Sequence, residues 1–428
     1  MKRLETKIPK LGKANIISPI KQRDISDDSS KRFIKDGARI IIDVSKKGNT
    51  ASFEQAGPRE KIYFDSSKLK CAIVTCGGLC PGINDIIRSI VLELYHIYNV
   101  KTIYGIKYGL QGFIPSYNHD VINLDLNIIQ GIQNRGGSIL GSSRGNQDTS
   151  SVVDCLERMH IGILFMVGGD GTLQASKRIA DEIKQRGLKI SVIGIPKTID
   201  NDIHLVSKSF GFDTAVDIAT LAIRGAHNEA VAFPNGVSLI KLMGRYSGFL
   251  AATAALAQQD ANFVLIPEVD ISLENFLKAL EKRVKSRKHA LVIVAEGAGQ
   301  NLFKKTTNQK DMSGNVLLHD IGIYLKNTIH EWFASKKIPF TLKYIDPSYI
   351  IRSLPANAND SVFCGLLGRM AVHAGMAGKT KLLISFWNDH YVHVPMDASA
   401  GKRKYINPYG RLWQSVLEAT GQDFAFND

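Results

Sequence analysis

The chain has 428 residues, 44% of them hydrophobic and 22% charged, which allows two or three domains with ordinary globular cores. It contains no run of about 18 apolar residues, so the sequence excludes a membrane-spanning helix. Lys and Arg number 54 against 40 Asp and Glu, for a net charge of +14, and this excess predicts either an anionic partner or a well-solvated surface.

The remaining composition narrows the class of protein. No aromatic-rich RNA motif or zinc-finger spacing accompanies the positive charge, so a small phosphorylated ligand is favoured over nucleic acid. The N-terminal segment has no apolar stretch of the kind found in secretory signals. The five cysteines show neither a disulfide nor a zinc pattern. We therefore expect a reduced, cytoplasmic protein without a membrane or nucleic-acid partner.

Residues 1–65 read as an N-terminal arm. Residues 1–50 carry 13 Lys and Arg against 6 Asp and Glu, and one short apolar run at 38–44 predicts a single strand. An arm of this length could wrap a neighbouring subunit or remain a disordered tail.

From Leu69 onward, apolar runs typical of buried strands alternate with helical patterns. Strands are predicted at 70–75, 101–107, 161–167, 188–195, 236–242, 262–267, 289–297 and 340–345. Helices are predicted at 86–98, after the GGDGT turn as far as 186, at 213–226 and at 320–335, and a polar loop at 299–315. This alternation predicts an α/β fold of two Rossmann-like lobes, each a mainly parallel sheet flanked by helices, with the active site in the cleft between them.

The turn GGDGT (168–172) follows one of these strands. Its glycines would let backbone N–H groups approach phosphate oxygens, and the next helix would point its N-terminus at them. Asp170 is the only carboxylate in the turn and could hold Mg²⁺ that bridges phosphates. An ordinary Asp-Gly turn explains the same residues, and the absence of GxxxxGK[ST] excludes a Walker-type site.

Two further glycine-rich turns, CGGLCPGIN (76–84) and GGSILGSSRG (136–145), could also admit a phosphate. Arg144 in the second could brace a phosphoryl group with its planar guanidinium. Tight connections and a solvated arginine are the structural alternatives. Neither turn fits GxGxxG, so a dinucleotide fingerprint is not supported.

The segment PKTIDND (196–202) follows the next strand. A carboxylate here could take the proton from an attacking hydroxyl, while Lys197 and Thr198 could hold a phosphoryl group in transfer. A cluster that caps the next helix is the alternative, but capping accounts for one Asp more easily than for the whole set.

Together these motifs resemble the 6-phosphofructokinase family. CGGLCPGIN, GGSILGSSRG, VGGDGT, PKTIDND, LMGRYSG, PEV and VAEG occur in the family's order and spacing between about Leu69 and about Asp397. KYIDPSYIIR (343–352) looks most like the ATP-using branch of trypanosomatids and plants, often called group X. The resemblance implies glycolytic phosphoryl transfer from ATP to the 1-hydroxyl of fructose 6-phosphate, with Mg²⁺ as cofactor and ATP as co-substrate.

The resemblance also implies roles for individual residues. The donor site would comprise Gly77, Arg144, Gly145, Gly169, Asp170, Gly171 and Thr172, with Asp170 as the metal ligand. Lys197, Thr198 and Asp200 would be catalytic, with Asp200 as the proton acceptor. The sugar phosphate would contact Thr198, Ile199, Asp200, Met243, Gly244, Arg245, Glu296, Tyr349, Ile350, Ile351 and Arg352.

Two positions bear on the phosphoryl donor. Pyrophosphate-using relatives carry a second Asp after the metal-binding Asp, where this chain has Gly171, and a Lys before the catalytic Thr, as here at Lys197. A carboxylate at 171 would occupy the α-phosphate space and repel ATP, so ATP is the expected donor. A reversible pyrophosphate-dependent enzyme and a non-catalytic sugar-phosphate or nucleotide sensor remain the alternatives.

The expected organisation follows from the same resemblance. Residues 66–211 with about 348–380 would form a nucleotide-binding lobe, and residues 212–347 with about 381–428 a sugar-phosphate lobe. The resemblance also implies that the chain forms a homo-oligomer, either a tetramer or a dimer. It implies further that the enzyme is allosteric.

Overall fold

The computed structural model describes residues 4–22, 32–45, 51–303, 309, 316–424 and 426. The strands are β1 Ile16–Ile17, β2 Arg39–Ile41, β3 Ser52–Gln55, β4 Lys61–Ile62, β5 Lys70–Thr75, β6 Thr102–Ile106, β7 Val121–Asn123, β8 Ile163–Gly168, β9 Ser191–Pro196, β10 Gly236–Leu242, β11 Phe263–Leu265, β12 His289–Ala295, β13 Thr341–Ile345, β14 Leu382–Trp387 and β15 His390–Pro395. The α-helices are α1 Pro19–Gln22, α2 Ile83–Leu92, α3 Thr149–Arg158, α4 Asp170–Gln185, α5 Phe212–Ala232, α6 Phe249–Gln258, α7 Leu273–Arg287, α8 Ile321–Ser335, α9 Ser348–Ser353, α10 Ala358–Met376, α11 Met396–Ser399 and α12 Arg411–Thr420.

The predicted strands and helices from residue 70 onward are confirmed, with ends that shift by a few residues. The main difference lies at the helix predicted over 86–98, which is α-helical to Leu92 and then continues as a π-helix over Glu93–Ile97. Most of the predicted polar loop at 299–315 lies outside the described residues.

Two compact units make up the chain, and each has its own sheet. Unit 1 comprises Met1–Thr198, Ile203–Gly211 and Ser353–Arg403, and unit 2 comprises Ile199–Asp202, Phe212–Arg352 and Lys404–Asp428.

The sheet of unit 1 has the order β2-β3-β15-β14-β9-β8-β5-β6-β7. Its central strands β14, β9, β8, β5 and β6 run parallel, because helices connect them across the faces of the sheet. Strands β5, β8 and β9 are apolar along almost their whole length and are buried accordingly. The carboxyl ends of neighbouring parallel strands therefore bring the turns after residues 75, 168 and 196 to one edge of this sheet.

Unit 2 contains a four-stranded parallel sheet with the order β11-β12-β10-β13. Its core packs around the fully buried side chains of Phe276 and Phe333, from α7 and α8. The ends of β10, β12 and β13 carry the second group of predicted site residues.

Two expected boundaries differ from the structure. Residues 381–403, expected with the second lobe, belong to unit 1 because β14 pairs with β9 and β15 continues the same sheet. Part of the N-terminal arm also belongs to unit 1, since β3 pairs with β15 and β2 with β3. Backbone pairing between segments far apart in sequence decides both points.

Two composition-based expectations have structural counterparts. All five cysteines are buried free thiols. In the part of the chain that the structure describes, none of the helices combines the length and apolar character that a membrane crossing requires.

Candidate active site

The turn between β5 and α2 is built on glycine. Gly77 has a φ of +84°, a conformation that other residues rarely adopt. Its N–H donates to the carbonyl oxygen of Ser143 at 3.1 Å, and its own carbonyl accepts from the Ser142 hydroxyl at 2.5 Å. Two of the glycine-rich segments found in the sequence are therefore joined directly.

Asp170 begins helix α4, and its carboxylate is held in a fixed orientation. One oxygen accepts from the backbone N–H of Gly401 at 2.7 Å, and the other accepts from the side-chain amide of Gln174 at 2.9 Å. The half-buried carboxylate therefore stands at a helix N-terminus, where free N–H groups and the helix dipole favour anions.

The position after Asp170 is open. Gly171 lies exposed in the first turn of α4, and a Cβ built on it would have no heavy atom within 4 Å. Thr172, the next residue, is buried. The structure therefore leaves room for a side chain at residue 171.

Lys197 links all three strand ends of unit 1. Its backbone N–H donates to the carbonyl oxygen of Gly168 at 3.0 Å, and its ammonium group donates to the carbonyl oxygen of Gly78 at 2.6 Å. The side chain is only 5% exposed. A Cβ built on Gly77 would lie 3.9 Å from this ammonium group, so Lys197 is a cation placed beside the glycine-rich turn.

The remaining unit 1 candidates are more exposed. Arg144 and Gly145 lie at the surface of the loop that Ser142 and Ser143 anchor to Gly77. The carbonyl of Thr198 accepts from the Ser209 hydroxyl at 2.7 Å, and its side chain is half-buried. These contacts fix the backbone and leave the side chains of Arg144 and Thr198 at accessible positions.

The segment Ile199–Asp202 belongs to unit 2. The carbonyl of Asp200 accepts from the Ser247 hydroxyl at 3.3 Å, and its side chain is half-buried, whereas Ile199 is buried. Lys404 secures the end of this segment: its ammonium group lies 3.2 Å from Oδ1 of Asn201, and burial lowers its pKa to about 8 against the opposing attraction of Asp202.

The ends of β10 and β12 meet beside Glu296. Leu242 pairs with Ala295, after which the N–H of Glu296 donates to Leu242 at 2.8 Å and the N–H of Gly297 donates to Gly244 at 3.1 Å. Gly244 has a φ of +130°, which explains the glycine of the MGR motif.

The electrostatic environment of Glu296 mixes burial with positive charge. Burial raises the pKa of its carboxyl group, and the nearby cations Arg245, Lys241 and Arg352 oppose that rise. Arg245 donates to the carbonyl of Val316. A carboxylate with several cations around it suits a ligand that carries both hydroxyl and anionic groups.

Strand β13 ends at a second cluster of charge. Lys241 lies 3.0 Å from a carboxylate oxygen of Asp320 and 3.0 Å from one of Asp346, and these two bonds outweigh burial and raise its pKa. Helix α9 follows, where the guanidinium of Arg352 lies 4.8 Å from the ring centroid of Tyr349.

The predicted site residues of helix α9 differ in how far their side chains are exposed to solvent. Tyr349 is 75% exposed and Ile350 is 62% exposed, but Ile351 is fully buried. The side chain of Ile351 therefore belongs to the core, and only its backbone could serve a ligand. Met243, at the end of β10, is half-buried.

Sequence reasoning missed the role of Glu268, although it quoted the PEV motif that contains it. Its carboxylate accepts from the N–H of Gly248 at 3.1 and 3.0 Å and from the N–H of Ile406 at 2.9 Å. Burial raises the pKa of this carboxyl group. Glu268 thereby fixes the start of α6, just after the MGR turn.

Asp170 belongs to unit 1 and Asp200 to unit 2. The active site expected in the cleft between the two lobes therefore stays a prediction. Among the described residues, no group of three or more His, Cys, Asp or Glu is arranged to hold a metal ion.

Comparisons with known proteins find one family of similar sequences. The sequence profile of the family described as Phosphofructokinase matches residues 70–375. The chain is 50% identical to an "ATP-dependent 6-phosphofructokinase" of Borreliella burgdorferi over 99% of its own length and 98% of the relative's. It is 45% identical to "ATP-dependent 6-phosphofructokinase 1" of Arabidopsis thaliana, with 86% of this chain and 79% of the relative covered. It is 44% identical to an "ATP-dependent 6-phosphofructokinase" of Trypanosoma cruzi, with 86% and 76% covered.

Solved structures support the fold. The crystal structure of a pyrophosphate-dependent phosphofructokinase from Marinobacter aquaeolei superposes with a TM-score of 0.68 at 20% identity, covering 82% of this chain and 91% of that one. A phosphofructokinase from Pichia pastoris gives 0.64 at 20% identity, covering 84% of this chain and 38% of that one. The α/β architecture with two Rossmann-like lobes is thereby established.

Proposed function

This chain belongs to the phosphofructokinase family, and we propose that it is an ATP-dependent 6-phosphofructokinase. It transfers the γ-phosphoryl group of ATP to the 1-hydroxyl of fructose 6-phosphate, giving ADP and fructose 1,6-bisphosphate, a step of glycolysis. The observation that carries this proposal is the set of relatives at 44–50% identity, matched over most of the chain, that bear this name.

Unit 1 provides the donor site in this proposal. The glycine amide at Gly169 and the first turn of α4 bind phosphate oxygens, with Gly77, Arg144 and Gly145 on the neighbouring turns. Asp170 supplies the protein's carboxylate to Mg²⁺, which neutralises phosphate charge when it is bound. The hydrogen bonds from Gly401 and Gln174 keep that carboxylate aligned.

The segment after β9 provides the chemistry. Asp200 accepts the proton of the 1-hydroxyl as its oxygen attacks the γ-phosphorus, and the bond from that phosphorus to the β,γ-bridging oxygen breaks. Lys197 and Thr198 stabilise the charge on the phosphoryl group in transfer. The anchoring of this segment by Ser247, Ser209 and Lys404 supports this assignment, because proton transfer requires a fixed acceptor.

Unit 2 provides the sugar-phosphate site in this proposal. Glu296, with the backbone of Met243 and Gly244, binds sugar hydroxyls, and Arg245 and Arg352 bind the 6-phosphate. Tyr349 and Ile350 cover the ligand from α9, and the backbone of Ile351 and Ile199 completes the contact. The cations that surround Glu296 support this division of roles.

ATP is favoured over pyrophosphate by the open space at Gly171. A nucleotide needs that space for its α-phosphate, and a glycine places no negative charge against it. Lys197 favours pyrophosphate as the donor, since pyrophosphate-using relatives have a lysine at this position. A pyrophosphate-dependent enzyme is therefore the second candidate.

One donor screen separates these candidates. The purified chain is supplied with Mg²⁺, fructose 6-phosphate and either ATP or pyrophosphate, and fructose 1,6-bisphosphate is measured through coupled cleavage by aldolase. We expect turnover with ATP and at least about tenfold less with pyrophosphate. Faster turnover with pyrophosphate would reverse the donor assignment, and tight binding of both substrates without product would indicate a sensor.

The wider setting is part of the same proposal. We expect a cytoplasmic homo-oligomer, tetramer or dimer, with allosteric control. Light scattering on the purified chain measures the oligomeric state directly.

A further inference from the structure

A second site is built into unit 1 from residues that the proposed reaction does not use. A cavity of about 680 Å³ lies among residues 10–14, 33–36, 59–61 and 377–379. This volume is in the range of small-molecule sites, roughly 300–1,000 Å³. The charged residues that line it are Lys10, Lys13, Lys35, Asp36, Arg59, Glu60, Lys61 and Lys379.

The two buried cations at the floor of the cavity have partners within the protein. Arg59 is only 4% exposed and donates to the carbonyl oxygens of Gly57 at 3.0 Å and Gln55 at 2.7 Å. It also pairs with Glu54 at 3.1 Å, and Glu54 pairs in turn with the ammonium group of Lys379. Buried charges need such partners, so these cations are accounted for as structure.

Asp36 connects the floor to the rim. Its carboxylate lies 3.2 Å from Nε of Arg59 and 3.6 Å from the ammonium group of Lys10, yet its side chain is 70% exposed. Asp36 therefore offsets part of the positive charge of Arg59 and Lys10, and a ligand anion would bind to the other cations of the rim.

The rim carries three further lysines, while Asp36 and Glu60 are the acidic residues that line the cavity. Lys13, Lys35 and Lys61 are exposed and form no ion pair with any residue that the structure describes. They come from three separate segments of the chain and converge on one cavity. Like charges gathered in this way repel one another, and a bound anion would relieve that repulsion.

From this convergence we propose that the cavity is a binding site for a small phosphorylated anion with at least two negative charges, separate from the phosphoryl-transfer site. Lysine ammonium groups bind phosphate as mobile point charges, which suits ligands of variable shape. Phe33 and Ile34 also line the cavity and offer an apolar surface for an organic group attached to the phosphate. Inorganic pyrophosphate and a nucleoside phosphate share the required chemistry.

The test compares a rim variant with a charge-matched control. Lys35→Ala/Lys61→Ala removes two rim charges, and Lys68→Ala/Lys184→Ala removes two exposed lysines of unit 1 that do not line the cavity. Calorimetry measures pyrophosphate binding to wild type and both variants at low ionic strength. All these side chains are exposed, so we expect all three proteins to fold and to share one turnover rate at saturating substrates.

We expect a class of pyrophosphate sites in wild type and control whose Kd rises at least about fivefold in the rim variant. Binding at the phosphoryl-transfer site should be equal in all three proteins, which separates failure of this proposal from failure of the proposed function. Equal binding in all three, or equal weakening in both variants, would overturn the proposal, because only general surface charge would then be at work.

A second arm identifies the source of the phosphate. Uridine 5′-monophosphate replaces pyrophosphate, and Phe33→Ala is added to the set. If this variant weakens only the nucleotide, the site takes an organic phosphate against Phe33. If pyrophosphate binds to the rim and the nucleotide does not, the site takes inorganic anions. Absence of rim-dependent binding for both probes contradicts the site itself.

Discussion

The ammonium group of Lys197 donates a hydrogen bond of 2.6 Å to the carbonyl oxygen of Gly78. This bond ties the segment after β9 to the turn after β5, where Gly77 adopts its left-handed conformation. Lys197 therefore holds the glycine-rich turn in place as well as supplying charge. The two roles predict a combined effect on binding and on turnover.

Replacement of Lys197 by Met removes the ammonium group and keeps the length of the side chain. We expect a drop in kcat/KM for ATP of about 10²-fold, the loss found when one donor to a transferring group is removed. Steady-state kinetics with varied ATP measures it. Lys184→Met is the control, since it changes an exposed lysine at the end of α4. Unchanged ATP kinetics in K197M would contradict both roles.

Gly171→Asp tests the donor argument. The added side chain meets no heavy atom within 4 Å of its Cβ, and an Asp in the first turn of a helix is favourable, so the fold should be retained. We expect the KM for ATP to rise by about tenfold or more through repulsion of the α-phosphate, with a smaller effect on pyrophosphate. The control is Gly225→Asp, another open helical glycine. Equal ATP kinetics in G171D and wild type would show that a carboxylate at residue 171 does not repel ATP.

Asp200→Ser tests the proton acceptor. We expect turnover to fall by about 10²–10⁴-fold with little change in the KM of either substrate, because general-base assistance acts in the transition state. The matched control, Asp217→Ser, changes an exposed carboxylate on α5. Turnover within twofold of wild type in D200S would refute the role of Asp200.

Glu296→Gln tests the sugar site through pH. Burial raises the pKa of Glu296, so its carboxylate becomes protonated on acidification earlier than an ordinary Glu. We expect the KM for fructose 6-phosphate in wild type to rise as pH falls below 7. In E296Q this KM should be about tenfold higher at pH 7 and should depend less on pH, because the substrate's phosphate then titrates without Glu296. Parallel pH profiles in the two proteins would exclude Glu296 as the titrating group.

His393 and Glu54 predict acid sensitivity of unit 1. Burial lowers the pKa of His393 to about 4 despite the opposing attraction of Glu54, at 3.3 Å. As pH falls from about 6.5 to 4, the unfolded chain takes up a proton that the folded chain does not, so the free energy of unfolding decreases. The pKa of Glu54 is lowered because bonds to His393 and Lys379 outweigh burial, which adds a second loss of the same sign below pH 4.5.

The change in stability is measured by urea unfolding at several pH values. Between pH 6.5 and 4.5, His393 should account for a loss on the order of 2 kcal/mol. His393→Gln should flatten the profile in that window, while the exposed His390→Gln should leave it unchanged. A profile of H393Q that runs parallel to wild type would contradict the assignment.

Local sequence predicted most of the elements around the site. Strands such as β5 and β8 are continuous apolar runs that end in glycine-rich turns, and short-range chemistry is enough to specify both features. The sequence therefore predicted that Asp170 lies at a helix start and that Glu296 lies at a strand end.

Contacts between distant segments decided the rest. The N–H that fixes Asp170 comes from Gly401, 231 residues along the chain, and the carboxylate of Glu268 holds Ile406, 138 residues away. The pairing of β14 with β9 likewise moved residues 381–403 into unit 1. Hydrogen bonds and sheet pairing of this kind depend on which surfaces meet in the folded chain. A local pattern of residues does not predict which distant segments come into contact.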